Sequence, residues 1–228
     1  MNDEPPTSPP RRGWSCLEWI VAIFCILLLI GLFMPASRGL GDLANQTATS
    51  NHCRQIIMAM KIWADEHNDQ FPDATIPGLK SSNEVFRNLV VDDILSDERI
   101  FGAKENRYQP DGKIGIAPAF AEAIGPSENH WMMMAGLKPR SPGIMPFVFE
   151  NSLSPQWPLT WSGSKFNEPL RGRAWKNGKI IVGRLDNSVN VETLVSENGQ
   201  LVLPPSFRED VEKAAKSPLR VLDIEEKK

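Results

Sequence analysis

The strongest feature of the hydrophobic pattern is one unbroken apolar run near the N-terminus. From Trp14 to Met34 the chain carries a single charge, Glu18, and no helix breaker except Gly31. About 20 apolar residues suffice to cross a bilayer as a helix, so the run predicts a membrane span over 14–35. A second pattern follows. Cys53, Ile56, Ile57, Met60, Trp63, Ala64 and His67 recur at helical spacing, with Arg54, Lys61, Asp65 and Glu66 off the stripe. This is an amphipathic helix with one buried face. It predicts a helical continuation over 36–70 that ends near Asn68-Asp69, because Phe71-Pro72 cannot extend it.

Beyond residue 70 the pattern breaks into short pieces. Ser82 predicts the cap of a short helix that puts Val85, Phe86, Leu89 and Val90 on one face. Residues 98–128 are polar and interrupted by proline and glycine, and read as a loop with one helical turn around Ala119–Ile124. His130–Leu137 and Met145–Glu150 are strand candidates, and Pro146 marks the second as an edge or a strand start. Lys179–Leu185 and the alternating Val189–Leu194 flank Asp186-Asn187-Ser188 and predict a hairpin. Pro204-Pro205-Ser206 opens a helix over Phe207–Ala215. The charged end, Asp223–Lys228, reads as frayed. The fold class is therefore α+β: a long N-terminal helix kinked at Pro35 and a small antiparallel sheet. The divisions are a leader (1–13), the span (14–35), the amphipathic rear half (36–70), an α+β head (71–200) and a C-terminal helix and tail (201–228).

Charge sets a direction on this plan. Arg11 and Arg12 directly precede the run and place the leader in the cytoplasm by the positive-inside rule. A cleaved secretory signal fits poorly, since the run exceeds the usual 7–15 apolar residues and Met34-Pro35-Ala36 is a poor cleavage site. The twin arginine has no further support, and Cys16 lacks the preceding apolar run of a lipoprotein site. A net charge of −3 over 228 residues gives no nucleic-acid signature. Cys16, Cys25 and Cys53 are the three cysteines, too few and too near the N-terminus to staple a globular part.

The residues around Glu18 carry a family resemblance. Gly13, an aromatic Trp14, three residues, Glu18 and a long apolar run resemble the N-terminus of type IV pilins and type II secretion pseudopilins. Trp14 stands where Phe or Met is usual. The stretch Cys53-Arg54-Gln55-Ile56 through Phe71-Pro72 resembles the rear helix of pilin-like proteins of planctomycete and verrucomicrobial bacteria. Asp186-Asn187-Ser188-Val189 is similar to their C-terminal Asp-Gly-(Ser/His)-Val turn, with Asn187 in place of glycine.

The resemblance implies a pilin-like fold and a set of roles. A prepilin peptidase would cut after Gly13, and Trp14 would become the methylated first residue. Glu18 would pair with the N-terminal amine of a neighbouring subunit, and Pro35 would kink the assembly helix. The implied partners are other pilin or pseudopilin subunits, the prepilin peptidase, an inner-membrane assembly platform and membrane lipid. The implied place is the inner membrane, single-pass, with the head periplasmic, and type II secretion is the machine the resemblance names. No cofactor is required, although some major pseudopilins bind calcium in a C-terminal loop, for which Asp111, Asp186, Asn187 and Ser188 supply oxygens. The alternative is an uncleaved, membrane-anchored periplasmic binding or sensor domain.

Chemistry beyond this is sparse. His52, His67 and His130 are the only histidines, and no metalloprotease, nucleophile-elbow or phosphate-loop motif occurs. The chain is therefore expected not to be an enzyme. Trp157, Trp161 and Trp175 could form a sugar or peptide platform, or cover the small sheet; the second reading is expected from the size of the core.

Overall fold

A buried stripe at helical spacing needs a flat apolar surface to lie on, and the chain supplies one from strands far downstream. The computed structural model describes residues 16–104, 106–163 and 170–227, leaving the side chains of 32–40 outside the description. It divides into two compact units, Met1–Ala44 and Asn45–Lys228. Helix α1 (Cys16–Glu66) is continuous through Pro35, Gly39 and Gly41. Gly13 and Trp14 lie outside the described residues, and so does the side chain of Pro35.

In the first unit the described apolar side chains are solvent-facing, with Leu17 71% and Phe24 64% exposed. Among the described residues no helix is long and apolar enough to cross a membrane. The expected span over 14–35 is described, side chains included, only over 16–31.

The second unit is α+β. Strands β1 (Trp131–Ala135), β2 (Pro146–Glu150), β4 (Lys179–Arg184), β5 (Val189–Thr193) and β8 (Arg220–Leu222) form an antiparallel sheet in the order β5-β4-β2-β1-β8. A smaller sheet takes β3 (Thr160–Trp161), β7 (Gln200–Val202) and β6 (Val195–Glu197) in the order β3-β7-β6. Helices α2 (Pro72–Thr75), α3 (Ser82–Val91) and α4 (Pro205–Ala214) complete it.

The rear face of α1 seats on β2 and β4. Cys53, Ile56, Ile57, Met60, Trp63 and Ala64 are all buried, as the spacing predicts. The Cys53 thiol donates to the Val148 carbonyl at 3.4 Å, and burial raises its pKa. The helix ends where expected. Asn68 and Asp69 take positive φ angles of 56° and 61°, the left-handed geometry that closes a helix and that asparagine tolerates. Phe71 then turns inward onto Phe147, ring centroids 4.5 Å apart.

Several expectations need correction. The cap of α3 is Ser81, not Ser82: Ser81 Oγ accepts from Glu84 N at 3.1 Å, and Glu84 Oε2 accepts from Ser81 N at 3.3 Å, a reciprocal capping box. Ser82 is instead buried, donating to the Trp131 carbonyl at 2.7 Å. Pro146, by contrast, stands at a strand start, one of the two places expected for it, although the strand is central; the register shifts between Pro146 and Val148, so its missing N–H falls at an irregularity. The C-terminal end is not frayed. β8 pairs with β1, Ser82 N donates to the Asp223 carbonyl at 2.8 Å, and Ser127 N donates to the Glu225 carbonyl at 2.7 Å. The charges of this tail made it look solvated, yet its backbone completes a sheet edge.

Gly183, next to the end of β4, decides how closely α1 approaches. A Cβ there would lie 2.4 Å from Ile57 Cδ1, 2.5 Å from Cys53 Sγ and 3.1 Å from the Val148 carbonyl oxygen. Gly183→Ala should destabilise the second unit by about 1–3 kcal/mol, as overpacking does, and Gly183→Val by more. Urea unfolding of both variants checks this; unchanged midpoints would mean that the helix does not rest on this strand.

Candidate functional site

Of the residues expected to act, Glu18 is the one whose side chain is described. It sits in the first turn of α1, exposed, on a surface shared with Leu17, Val21 and Ala22. An acid in the first helical turn is favoured by the helix dipole.

The oxygen-rich residues expected for calcium do not form one group. Asp186 closes its own turn, with Oδ1 accepting from Ser188 N at 2.9 Å and from Ser188 Oγ at 2.6 Å. These bonds, the side-chain one first, hold the Asp186 carboxyl below its usual range. Asn187 takes φ 72°, the left-handed turn geometry expected of it. Asp111 instead joins Glu98 and Glu128, and their ligand oxygens all lie within 4.8 Å of one another.

Each of these three carboxylates already serves the fold. Glu98, at the start of the 3₁₀ turn Glu98–Phe101, accepts from Gly112 N at 2.8 Å and Ile124 N at 2.9 Å. Burial raises its pKa against those two bonds, and Glu128 and Asp111 add to the rise. Asp111 accepts from Lys113 N at 2.8 Å, which lowers its pKa. Glu128 accepts from Gly125 N at 2.8 Å. The donor set is all oxygen and would suit a hard cation, but three carboxylates fall short of the six to eight ligands calcium takes. The group pins the 98–128 loop whether or not an ion joins it.

The densest polar site is one that sequence reasoning missed. Glu150, His130, Asn151 and Trp175 are buried together, and both His130 and Glu150 are only 2% exposed. Glu150 accepts from His130 Nε2 at 3.0 Å, Trp175 Nε1 at 2.7 Å and Ile181 N at 2.8 Å. Asn151 Oδ1 accepts from Gly172 N at 2.7 Å, and its Nδ2 donates to the His130 carbonyl at 3.0 Å. That orientation leaves the same Nδ2 facing His130 Nδ1 at 2.8 Å. Nδ1 therefore accepts, and the ring directs a proton on Nε2 at Glu150. With these partners supplied by the fold, the group braces the segments that meet at Glu150. The only sequence signal was a lone acid closing an apolar strand.

The other candidates also resolve into packing. His52 Nδ1 lies 3.2 Å from the Gly102 carbonyl. His67 stacks on Trp63 with centroids 3.6 Å apart. Trp161 and Trp175 are buried and Trp157 is half-buried, so the three make no exposed platform. Trp161 and Trp175 belong to the hydrophobic core, and Trp157 packs against it. No family model, no curated protein and no solved structure matches this chain.

The C-terminal tail adds a salt-bridged clasp. Arg171 reaches Asp223 at 2.6 Å and Glu226 at 3.4 Å, and the Tyr108 hydroxyl donates to Glu226. The Tyr108 bond, first, and the Arg171 charge hold the Glu226 carboxyl below its usual range. Burial, reinforced by Glu226, raises the Tyr108 phenol. A depressed acid contributes stability that is full above its unfolded value of about 4.3 and is lost as pH falls through the folded value. Glu226→Gln should therefore be less stable than the wild type at pH 7, with the gap closing below about pH 4. Urea titrations at the two pH values test this, and a gap independent of pH would remove Glu226 from the clasp.

Proposed function

We propose that this chain is a pilin-like or pseudopilin-like subunit that assembles through its N-terminal helix into a filament, in a type II secretion or related system. The observation that carries the reading is the front of α1. Leu17, Trp19, Ile20, Ile23, Phe24 and Leu27 are all exposed around a single acid, Glu18. A contiguous apolar surface of this kind is a site for a partner or a lipid. The rear of the same helix is apolar on one side only, where the sheet covers it. One helix thus carries two kinds of surface, the first for assembly and membrane residence, the second for seating the folded domain.

In this reading the chain begins in the inner membrane with its leader cytoplasmic and its folded part periplasmic. Cutting after Gly13 creates a new amine at Trp14, and Glu18 on a neighbouring subunit neutralises it. In apolar surroundings each charge alone is costly and the pair is not, so register follows from charge matching. A cation such as calcium is an optional ligand of the Glu98–Asp111–Glu128 group in this proposal. The rival reading, a membrane-anchored binding domain that never polymerises, draws support from a cavity in the second unit and would leave residues 1–13 in place.

Intact mass decides between them. In cells with an active prepilin peptidase the proposal expects an N-terminus at methylated Trp14, whereas retention of residues 1–13 refutes it. Glu18→Ala should leave the fold intact and reduce filament incorporation more than a hundredfold, the effect of leaving one charge of a buried pair, about 3 kcal/mol or more, unmatched. Incorporation at the wild-type level would show the pairing to be wrong.

A further inference from the structure

The second unit holds a cavity of about 290 Å³ between the connection from β1 to β2 and the connection from α4 to β8. Its floor is apolar and already built: Met134, Leu137 and Met145 are buried residues that line it. Methionines make an adaptable apolar surface. The charge of the lining is one-sided. Lys138, Arg140 and Lys216 contribute to it and no carboxylate does.

These cations are not equivalent. Arg140 is held by Asp69 at 2.6 Å. Lys138 and Lys216 have no ion-pair partner among the described residues. Lys216 lies two residues beyond the end of α4, after its C-cap Ala215, and the helix's terminal carbonyls carry partial negative charge that offsets part of its own. Lys138 is thus the stronger anchor for an anion. The nearby Asp73 accepts from Gly136 N at 2.7 Å through Oδ2, its Oδ1 is buried with no hydrogen-bond partner among the described residues, and burial raises its pKa.

We propose that this cavity binds the carboxylate of a small apolar ligand, its hydrocarbon on Met134, Leu137 and Met145 and its charge on Lys138 and Lys216. A pocket of this size, apolar within and carrying a few convergent polar groups, has the form of a small-ligand site. Two sources share that chemistry, a free short-chain acid and the terminal apolar residue of a peptide. The inference stands whether or not the chain polymerises.

The test uses the full chain with ¹³C-labelled methionine methyl groups, titrated with 4-methylpentanoate and with N-acetyl-leucine. The corresponding amides serve as neutral controls. The expected result is a saturable shift of the Met134 and Met145 signals with at least one of the acids, while Met58 on α1 stays unmoved. The acid should bind about tenfold tighter than its amide, the worth of two partly exposed ion pairs, and the double variant Lys138→Gln, Lys216→Gln should erase that preference. Saturation by 4-methylpentanoate alone assigns a free acid, and saturation by N-acetyl-leucine alone assigns a peptide terminus. Equal binding of acids and amides, or no shift with either acid, overturns the proposal.

Discussion

The close approach of α1 to β4 is the constraint on which the second unit depends. Gly183 has no side chain, so Ile57 and Cys53 reach the backbone of the sheet. The sheet can therefore be buried beneath the helix with no layer between them. β1 and β2 are buried at every position, which requires cover on both faces, and α1 supplies one of those covers. Burial of this kind yields roughly 25 cal/mol per Å² of apolar surface. It also removes water from the strand ends, so any polar group left inside must find its partner within the fold.

That requirement explains the polar architecture. Glu150 ends β2 inside the core, where an unpaired carboxylate would be prohibitive. Three donors converge on it, from β4, from the residue before β1 and from Trp175. Each comes from a different part of the chain, so the acid ties together segments whose apolar side chains share one core. Asn129 does similar work, donating to Ser82 Oγ at 2.9 Å and to the Trp131 carbonyl at 2.8 Å. The tail follows the same logic at lower burial, where Arg171 gathers Asp223 and Glu226. Satisfied networks of this kind specify one arrangement among many of similar compactness.

The parts legible in the sequence are those governed by local periodicity. The stripe from Cys53 to His67 identified the buried face of α1, and the Asp186-Asn187-Ser188 turn located the β4–β5 hairpin. Each signal is built from residues only a few positions apart. The strands β3, β6, β7 and β8 escaped notice because each is only two or three residues long, shorter than the window over which alternation can be seen. β1 was visible only as an apolar run, since a strand buried on both faces does not alternate. The Glu150 brace was illegible for a different reason. Its donors stand 20 and 25 residues away at His130 and Trp175, and nothing in local pattern sets that pairing. The same holds for Asp111, which joins Glu98 and Glu128 and not the downstream Asp186.

Glu18 differs from Glu150 in exposure. Glu150 is buried by its own chain and is answered by its own chain. Glu18 lies among Leu17, Val21 and Ala22 on a surface that the described residues leave exposed. Water can solvate it while that surface is wet, and the acid then costs little. Once lipid or another subunit covers the surface, hydration is lost and the carboxylate must be neutralised or paired. A position that is cheap when exposed and costly when covered distinguishes correct covering from incorrect covering: only a partner that brings a positive group to that turn avoids the desolvation penalty. In the assembly proposed above, the acid would make association of the front of α1 selective, whereas the apolar residues around it would favour association with almost any greasy surface.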